Sequence, residues 1–458
     1  MVIKMTTKIL KRSVFLLVLS VLFVSCNTSK SKNNKMGLIA TFGQQPSTAQ
    51  GPNNEIAIVF GEKDNIYFSE SNDEGESFSE PTLVGTLKDL VLGYSSGPSI
   101  AITKNSIVVT APDRSGNLYA WTKPLKKDTW SGPFRVNELN GSVGESLSAI
   151  TATPEGRLFC TWIDTRILEK NDHEEHSVKN KSPENHRTEV KQELDLAKMT
   201  PTGITYKALL DKIGDYPKNA KLAFHGDNDG NIFWVFLDSD GNAVKAENIE
   251  AFKKFREQNK SRPKIEGKIY VTASDDGGQS WSKSELVYQS PDGSVCECCK
   301  PSISSDSNGN VYIMFRNNIN GSRDLHVTKS MDNGKTFSAP EKMGTGTWKI
   351  DGCPMDGGGI SVKSNTEFST IWQREGEIFM ANSNSSENQI GYGRSPSIAS
   401  NGSKTTIVYS SGEDIMVTDA KEVLPKKIGT GSFPKIVSIN ESTIYFWVNE
   451  EGINYKRT

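Results

Sequence analysis

Three octapeptides carry the same pattern: SNDEGESF at Ser71–Phe78, SDDGGQSW at Ser274–Trp281 and SMDNGKTF at Ser330–Phe337. The spacing Ser-x-Asp-x-Gly-x-x-(Trp/Phe) describes a tight turn closed by its own side chains. Asp73, Asp276 and Asp332 can accept backbone N–H groups across the turn, and Gly75, Gly278 and Gly334 permit the positive φ it needs. Phe78, Trp281 and Phe337 then fold back to pack between sheets. Such turns join two strands, so the flanking segments are read as β.

Working outward, each turn follows an alternating strand: NIYFSES, KIYVTAS and DLHVTKS. The same kind of strand recurs without the full turn as NLYAWTK, EIFMANS, DIMVTDA and INYKR. Each copy is preceded by an apolar strand of the type EIAIVF or NVYIMF, and before that by a short strand near PSIA or PSIS. Seven such phrases are present. Four-stranded units recurring at roughly 40 to 55 residues predict an all-β fold, a β-propeller of seven blades with six as the alternative. The last unit ends after three strands, so the N-terminal segment MGLIATFG is expected to supply its outer strand and close the ring.

The octapeptides match the Asp-box, and the chain resembles the sialidase-like Asp-box, or BNR-repeat, propellers. KKDTWSGP around Trp130 looks like a decayed fourth copy. The likeness runs from about Met36 to Thr458 with one interruption. Sialidases themselves have six blades, and the family's N-terminal Phe/Tyr-Arg-Ile-Pro stretch is absent here. The resemblance implies a ligand face opposite the Asp-boxes, built from loops joining second to third strands and one blade to the next. It also implies arginines on a substrate carboxylate, a tyrosine nucleophile paired with a glutamate, and an aspartate as acid/base.

Six of the thirteen arginines fall in such loops: Arg114, Arg166, Arg316, Arg323, Arg374 and Arg394. Clustered guanidinium groups bind carboxylate or sulfate bidentately, which suits an acidic glycan or another anion. Each also has a nearby acidic residue to pair with, as PDR, DTR and SRD suggest. Tyr392 beside Arg394 is the best placed tyrosine, Glu375 its candidate partner with Glu413 as another, and Asp164 or Asp113 the candidate acids. The expected function is an exo-sialidase-like glycoside hydrolase or an acidic-glycan binder; the alternative is a non-enzymatic propeller that docks a protein partner. No cofactor is expected.

The first residues set the compartment. Lys4, Lys8, Lys11 and Arg12 precede the apolar run VFLLVLSVLFVS and then Cys26. That layout is a secretory signal resembling the bacterial lipoprotein type, with residues 1–26 ending at a lipidated cysteine. NTSKSKNNK over 27–35 is a polar tether. The expected location is the bacterial cell envelope, lipid-anchored, periplasmic or at the cell surface. A net charge of −2 provides no basic field for nucleic acid.

Residues 167–267 interrupt the third blade between its second and third strands, as a lid or docking subdomain for a protein partner. Its first part is charged, and His173 and His176 there are read as solvated, with no metal assigned. Its later part, GNIFWVFLDSDGNAV followed by AENIEAFKKFREQN, predicts a hairpin and an amphipathic helix, making a small α+β unit.

Three of the six cysteines crowd into VCECCKP: Cys296, Cys298 and Cys299. Cys353, in DGCPMDGG, lies in the loop leading into the next blade, so the two loops are expected side by side. An exported chain meets oxidising conditions, which favours disulfides, at least one of them reaching Cys353. A thiolate site for zinc or copper is the alternative. The pairing of Cys-x-Cys-Cys-x-Pro with Gly-Cys-Pro-Met-Asp-Gly resembles secreted Asp-box proteins of the sialidase-like type, without implying a reaction. Cys160, inside RLFCTW, is read as a buried apolar residue.

Overall fold

The computed structural model describes residues 35–166 and 266–458 apart from 94, 351, 353, 364–366, 384–385, 403 and 421–423, and between 167 and 265 only the strands at 221–226, 232–237 and 243–246. Seven four-stranded antiparallel sheets make a propeller, as the repeat count predicts, and an eighth, three-stranded sheet lies in the interruption. Their inner strands are Gln44–Gln50, Ser99–Ile102, Val143–Ala152, Ser302–Ser305, Gly359–Val362, Arg394–Asn401 and Ser432–Ile439.

The seventh blade closes the ring as the strand count requires. Its outer strand is Lys35–Ala40, paired antiparallel with the C-terminal strand Gly452–Arg457. In the third blade Leu158–Asp164 pairs directly with Lys268–Ser274, so the interruption leaves and re-enters between hydrogen-bonded neighbours. Within it, the predicted hairpin is Ile232–Leu237 with Ala243–Ala246, and Lys221–Gly226 adds a third strand that the sequence reading did not contain. The expected helix, the signal and Cys26 lie outside the described residues.

The core follows from burying both faces of each blade. Ile56, Ala57, Ile58, Val59 and Phe60 are all fully buried, although successive side chains on a strand point opposite ways. Ala57 and Val59 pack against the second blade, while Ile56, Ile58 and Phe60 pack against the seventh. This repeats around the ring, giving seven hydrophobic clusters, one at each junction between neighbouring blades.

The Asp-box turns act as wedges at these junctions. Asp73 accepts from Ser77 N at 2.9 Å, and Asp276 and Asp332 do the same from Ser280 N and Thr336 N. Hydrogen bonds from Thr336 and Ser330 hold the Asp332 carboxyl down at about 2. Phe78 meets Phe446 and Tyr455 of the seventh blade edge-on, at 5.5 and 4.8 Å between ring centroids. Trp281 and Phe337 likewise join the clusters between blades two and three and between three and four. The degraded copy keeps its aromatic residue, since Trp130 packs edge-on against Phe68 at 5.3 Å.

Gly334 has φ +81°, and a Cβ there would sit 2.3 Å from the Phe159 ring of the preceding blade. Gly334→Ala is therefore expected to cost about 2 kcal/mol or more, through left-handed strain and the clash. Urea unfolding of the purified protein measures it. An unchanged midpoint would mean that the turn is not a wedge.

Candidate functional site

A central cavity of about 310 Å³ is lined by the starts of the inner strands of all seven blades. It opens on the face opposite the Asp-boxes. A device repeated in the sequence shapes it: Gly97-Pro98, Lys300-Pro301 and Ser395-Pro396, with Gln45-Pro46 and Phe433-Pro434 alongside. Gln45, Ser395 and Phe433 take positive φ at these prolines, and the ladders shift register at 44–47, 394–397 and 432–435. Such bulges re-aim side chains at a strand end. Here they leave residues on both sides of the proline facing the cavity.

Three of the lining residues carry charge: Lys300, Lys435 and Asp356. Lys300 reaches from the fourth blade to Ser99 Oγ of the second at 3.1 Å. Burial, reinforced by Lys435, pulls the Lys300 ammonium down to about 7. Burial also lowers Lys435, with Asp356 working the other way. The Asp356 carboxylate accepts Ser395 N at 2.8 Å and Gly358 N at 3.3 Å, so it is partly committed to backbone. With both lysines protonated the charged groups sum to +1, in a pocket that penalises charge. Ser95, Ser96, Ser99, Ser302 and Ser397 add hydroxyl groups to the lining.

The predicted site residues lie elsewhere on this face. Asp164 is fully buried and accepts Trp162 Nε1 at 2.9 Å and Arg166 Nη2 at 2.6 Å. Arg166 also pairs with Glu138 at 3.1 Å and lies over Tyr270. Arg374 is held bidentately by Glu387, at 2.9 and 2.6 Å, over the ring of Phe379. Asp113 is buried, capping a turn through Ser115 N and Asn117 N. Arg114 is exposed, and its backbone N–H donates to Asp89 O. Arg394 is half-buried, its Nη2 3.5 Å from Pro354 O.

Arg316 is 1 % exposed and is spent on backbone. Its guanidinium donates to Asp356 O at 2.9 and 3.1 Å, Arg323 O at 2.7 Å and Gln373 O at 2.9 Å, tying blade four to blade five. Tyr392 is 65 % exposed at the end of an outer strand opposite Glu377, and Glu375 sits exposed in a turn at φ +55°. Among the described residues no hydrogen bond joins Tyr392 to Glu375.

The cysteine loop borders the cavity, since Cys299 immediately precedes Lys300. Cys160, Cys296 and Cys299 are free thiols, which corrects the disulfides expected at Cys296 and Cys299. Their sulfurs stand 3.4 Å apart, at a distance that joins them by a hydrogen bond, not a covalent bond. Cys298 lies 3.6 Å from Cys296 and is disulfide-bonded, as expected of one cysteine of this loop, while Cys353 lies outside the described residues. Arg323 Nη1 donates to Cys296 Sγ at 3.0 Å. The hydrogen bond shared with Cys299, then Arg323 and Arg316, pull the Cys296 thiol below its ordinary value against burial. Burial first, and the bond to Cys296, push Cys299 up. Cys160 is buried and apolar in its surroundings, as read, and burial pushes its thiol up.

Sequence reasoning missed Lys300, Lys435 and Asp356. The available signal was the proline repeated at the inner-strand starts, because a lysine adjoining that proline in two blades marks the cavity wall.

A BNR repeat-like domain model matches residues 256–398, which holds two of the three Asp-boxes. No curated protein matches the sequence. Solved structures that the chain resembles include an α-L-arabinanase from Penicillium chrysogenum, at 10 % identity and TM-score 0.40 over 91 % of this chain and 93 % of the other. An intramolecular trans-sialidase from Ruminococcus gnavus, in complex with oseltamivir carboxylate, gives 10 % identity and TM-score 0.43 over 91 % and 94 %. A protein of unknown function from Dyadobacter fermentans gives 14 % and 0.38 over 91 % and 94 %.

Arg316→Met is expected to destabilise the protein by about 3 kcal/mol or more, because it strips the donors from three backbone carbonyls that are buried or half-buried. Arg114→Met, on the exposed turn, is expected to change stability by less than about 0.5 kcal/mol. Paired denaturant melts check both, and equal stabilities would show that Arg316 is no structural tie.

Proposed function

We propose that this protein is a ligand-binding propeller of the glycoside-hydrolase-like architecture, and that its central cavity takes the anionic group of an acidic glycan. The observation that carries this is the convergence of Lys300 and Lys435 on one pocket with Asp356 as the single opposing charge among the lining residues. Both ammonium groups are disfavoured by burial, so a bound carboxylate or sulfate supplies the missing counter-charge and stabilises their protonated forms. The surrounding serines offer donors and acceptors to sugar hydroxyls.

Binding without tyrosine-dependent hydrolysis is the reading favoured here. The residues proposed for catalysis have other geometry: Tyr392 is exposed on an outer strand, and Asp164 is held by Arg166 and Trp162. We also propose export to the cell envelope, with Cys26 as the lipidated N-terminus. Mass spectrometry of the mature N-terminus tests that; an unmodified Cys26 in membrane fractions removes the anchor.

Calorimetry of the full chain with glucuronate, N-acetylneuraminate and sulfate tests the cavity. Lys300→Met with Lys435→Met is expected to weaken glucuronate or N-acetylneuraminate at least about tenfold, the worth of one charge-assisted hydrogen bond. Wild-type affinity in a folded double variant would overturn the assignment, as would binding of none of the three anions. Tyr392→Phe is expected to leave affinity unchanged.

A further inference from the structure

The loop Val295–Lys300 brings together groups that the cavity does not use. Cys296 and Cys299 are fully buried free thiols with sulfurs 3.4 Å apart, and Cys298 completes a group of three sulfurs within 4.8 Å of one another. Two guanidinium groups converge on them, Arg323 by direct contact at 3.0 Å and Arg316 from the blade junction. Among the described residues neither arginine forms an ion pair with a carboxylate. A guanidinium withdrawn from water favours an anion nearby, and among the described groups that the Arg323 side chain contacts, the one able to become an anion is Cys296.

We propose that Cys296 and Cys299, as thiolates, hold one monovalent copper ion, with Arg316 and Arg323 facing the single negative charge of the complex. Two soft sulfur ligands select copper(I) or zinc over harder ions. Charge and coordination decide between these two. A copper(I) dithiolate carries −1 and is complete at low coordination number, so it suits a dry site faced by two cations. A zinc dithiolate is neutral, leaves both arginines uncompensated and needs further ligands to reach four.

The geometry is close to what binding requires. A metal about 2.3 Å from each sulfur places the sulfurs roughly 4.0 to 4.6 Å apart for angles between 120° and 180°. The loop must therefore open by about 0.6 to 1.2 Å. The two thiol protons leave to solvent as the ion binds. Arg323 Nη1, 3.0 Å from Cys296 Sγ, holds that sulfur in place. Bound copper also prevents Cys296 and Cys299 from oxidising to a disulfide in an exported protein.

The test uses the full chain in detergent, reduced, stripped with chelator and titrated anaerobically with copper(I) against bicinchoninate. One copper per chain is expected, with sulfur scatterers alone in the first shell by X-ray absorption. Cys296→Ser with Cys299→Ser should abolish it, whereas Cys160→Ser and Cys298→Ser should retain it. If the double variant does not fold, Arg323→Met in folded protein is expected to weaken copper binding about tenfold, the usual effect of losing a group that supports the ligands. Absence of copper from the reduced, folded chain, full binding by the double variant, loss on Cys298→Ser alone, or unaltered affinity in Arg323→Met would each overturn the proposal.

Discussion

The structure depends on burying both faces of every blade at once. A strand such as Ile56–Glu62 has no solvent side, so each sheet is stable only between two others. A row of blades would leave two apolar faces in water. Closing the row into a ring removes both, and that closure uses Lys35–Ala40 to complete the blade built from the C-terminus. The Asp-boxes belong to the same constraint, because their aromatic residues and glycines occupy the junctions between blades rather than any ligand surface.

A closed ring leaves an axial hollow whose wall is formed by the first few residues of each inner strand. Their chemistry is narrow: proline, serine, glycine and small apolar residues, with positive φ at several positions. Against that background two lysines are conspicuous in electrostatic terms. Neither the fold nor a neighbouring carboxylate accounts fully for them, since Asp356 also serves Ser395 N and Gly358 N. A charged pocket without sufficient counter-charge is a reason to look for a ligand there.

The junction of the fourth and fifth blades concentrates the polar work of the molecule. Arg316 bonds two carbonyls across it and a third within its own blade, Arg323 reaches a thiol, and Gly357 packs so closely on the Lys300 backbone that a Cβ there would lie 1.8 Å from its carbonyl oxygen. The cysteine loop and the cavity wall are thus continuous, Cys299 belonging to one and Lys300 to the other. This junction of the cavity rim is held by side-chain to backbone bonds in addition to the apolar cluster between the two blades.

The amino-acid sequence by itself determined the repeated strands of the ring, its seven-unit count with six as the alternative, and the closing strand, but not the strand Lys221–Gly226 of the interruption. Those features rest on alternation, on turn chemistry and on a repeated phrase, all of which act between residues near one another in the chain. It also placed the interruption between paired strands and identified Phe78, Trp281 and Phe337 as packing residues. It did not determine what the arginines do. Arg166 pairs with Asp164, as DTR suggests, and Arg374 with Glu387 of its own blade, but Glu138 and the 356 and 373 carbonyls reach Arg166 and Arg316 from neighbouring blades or the loops between them, where only the packing of blade on blade brings them near. Lys300 and Lys435 lie 135 positions apart and share one pocket because all seven inner strands point to a common axis. Local pattern fixes secondary structure because its forces are short-ranged along the chain; the pairing of charges is fixed by distance in space, and only the tertiary structure decides that.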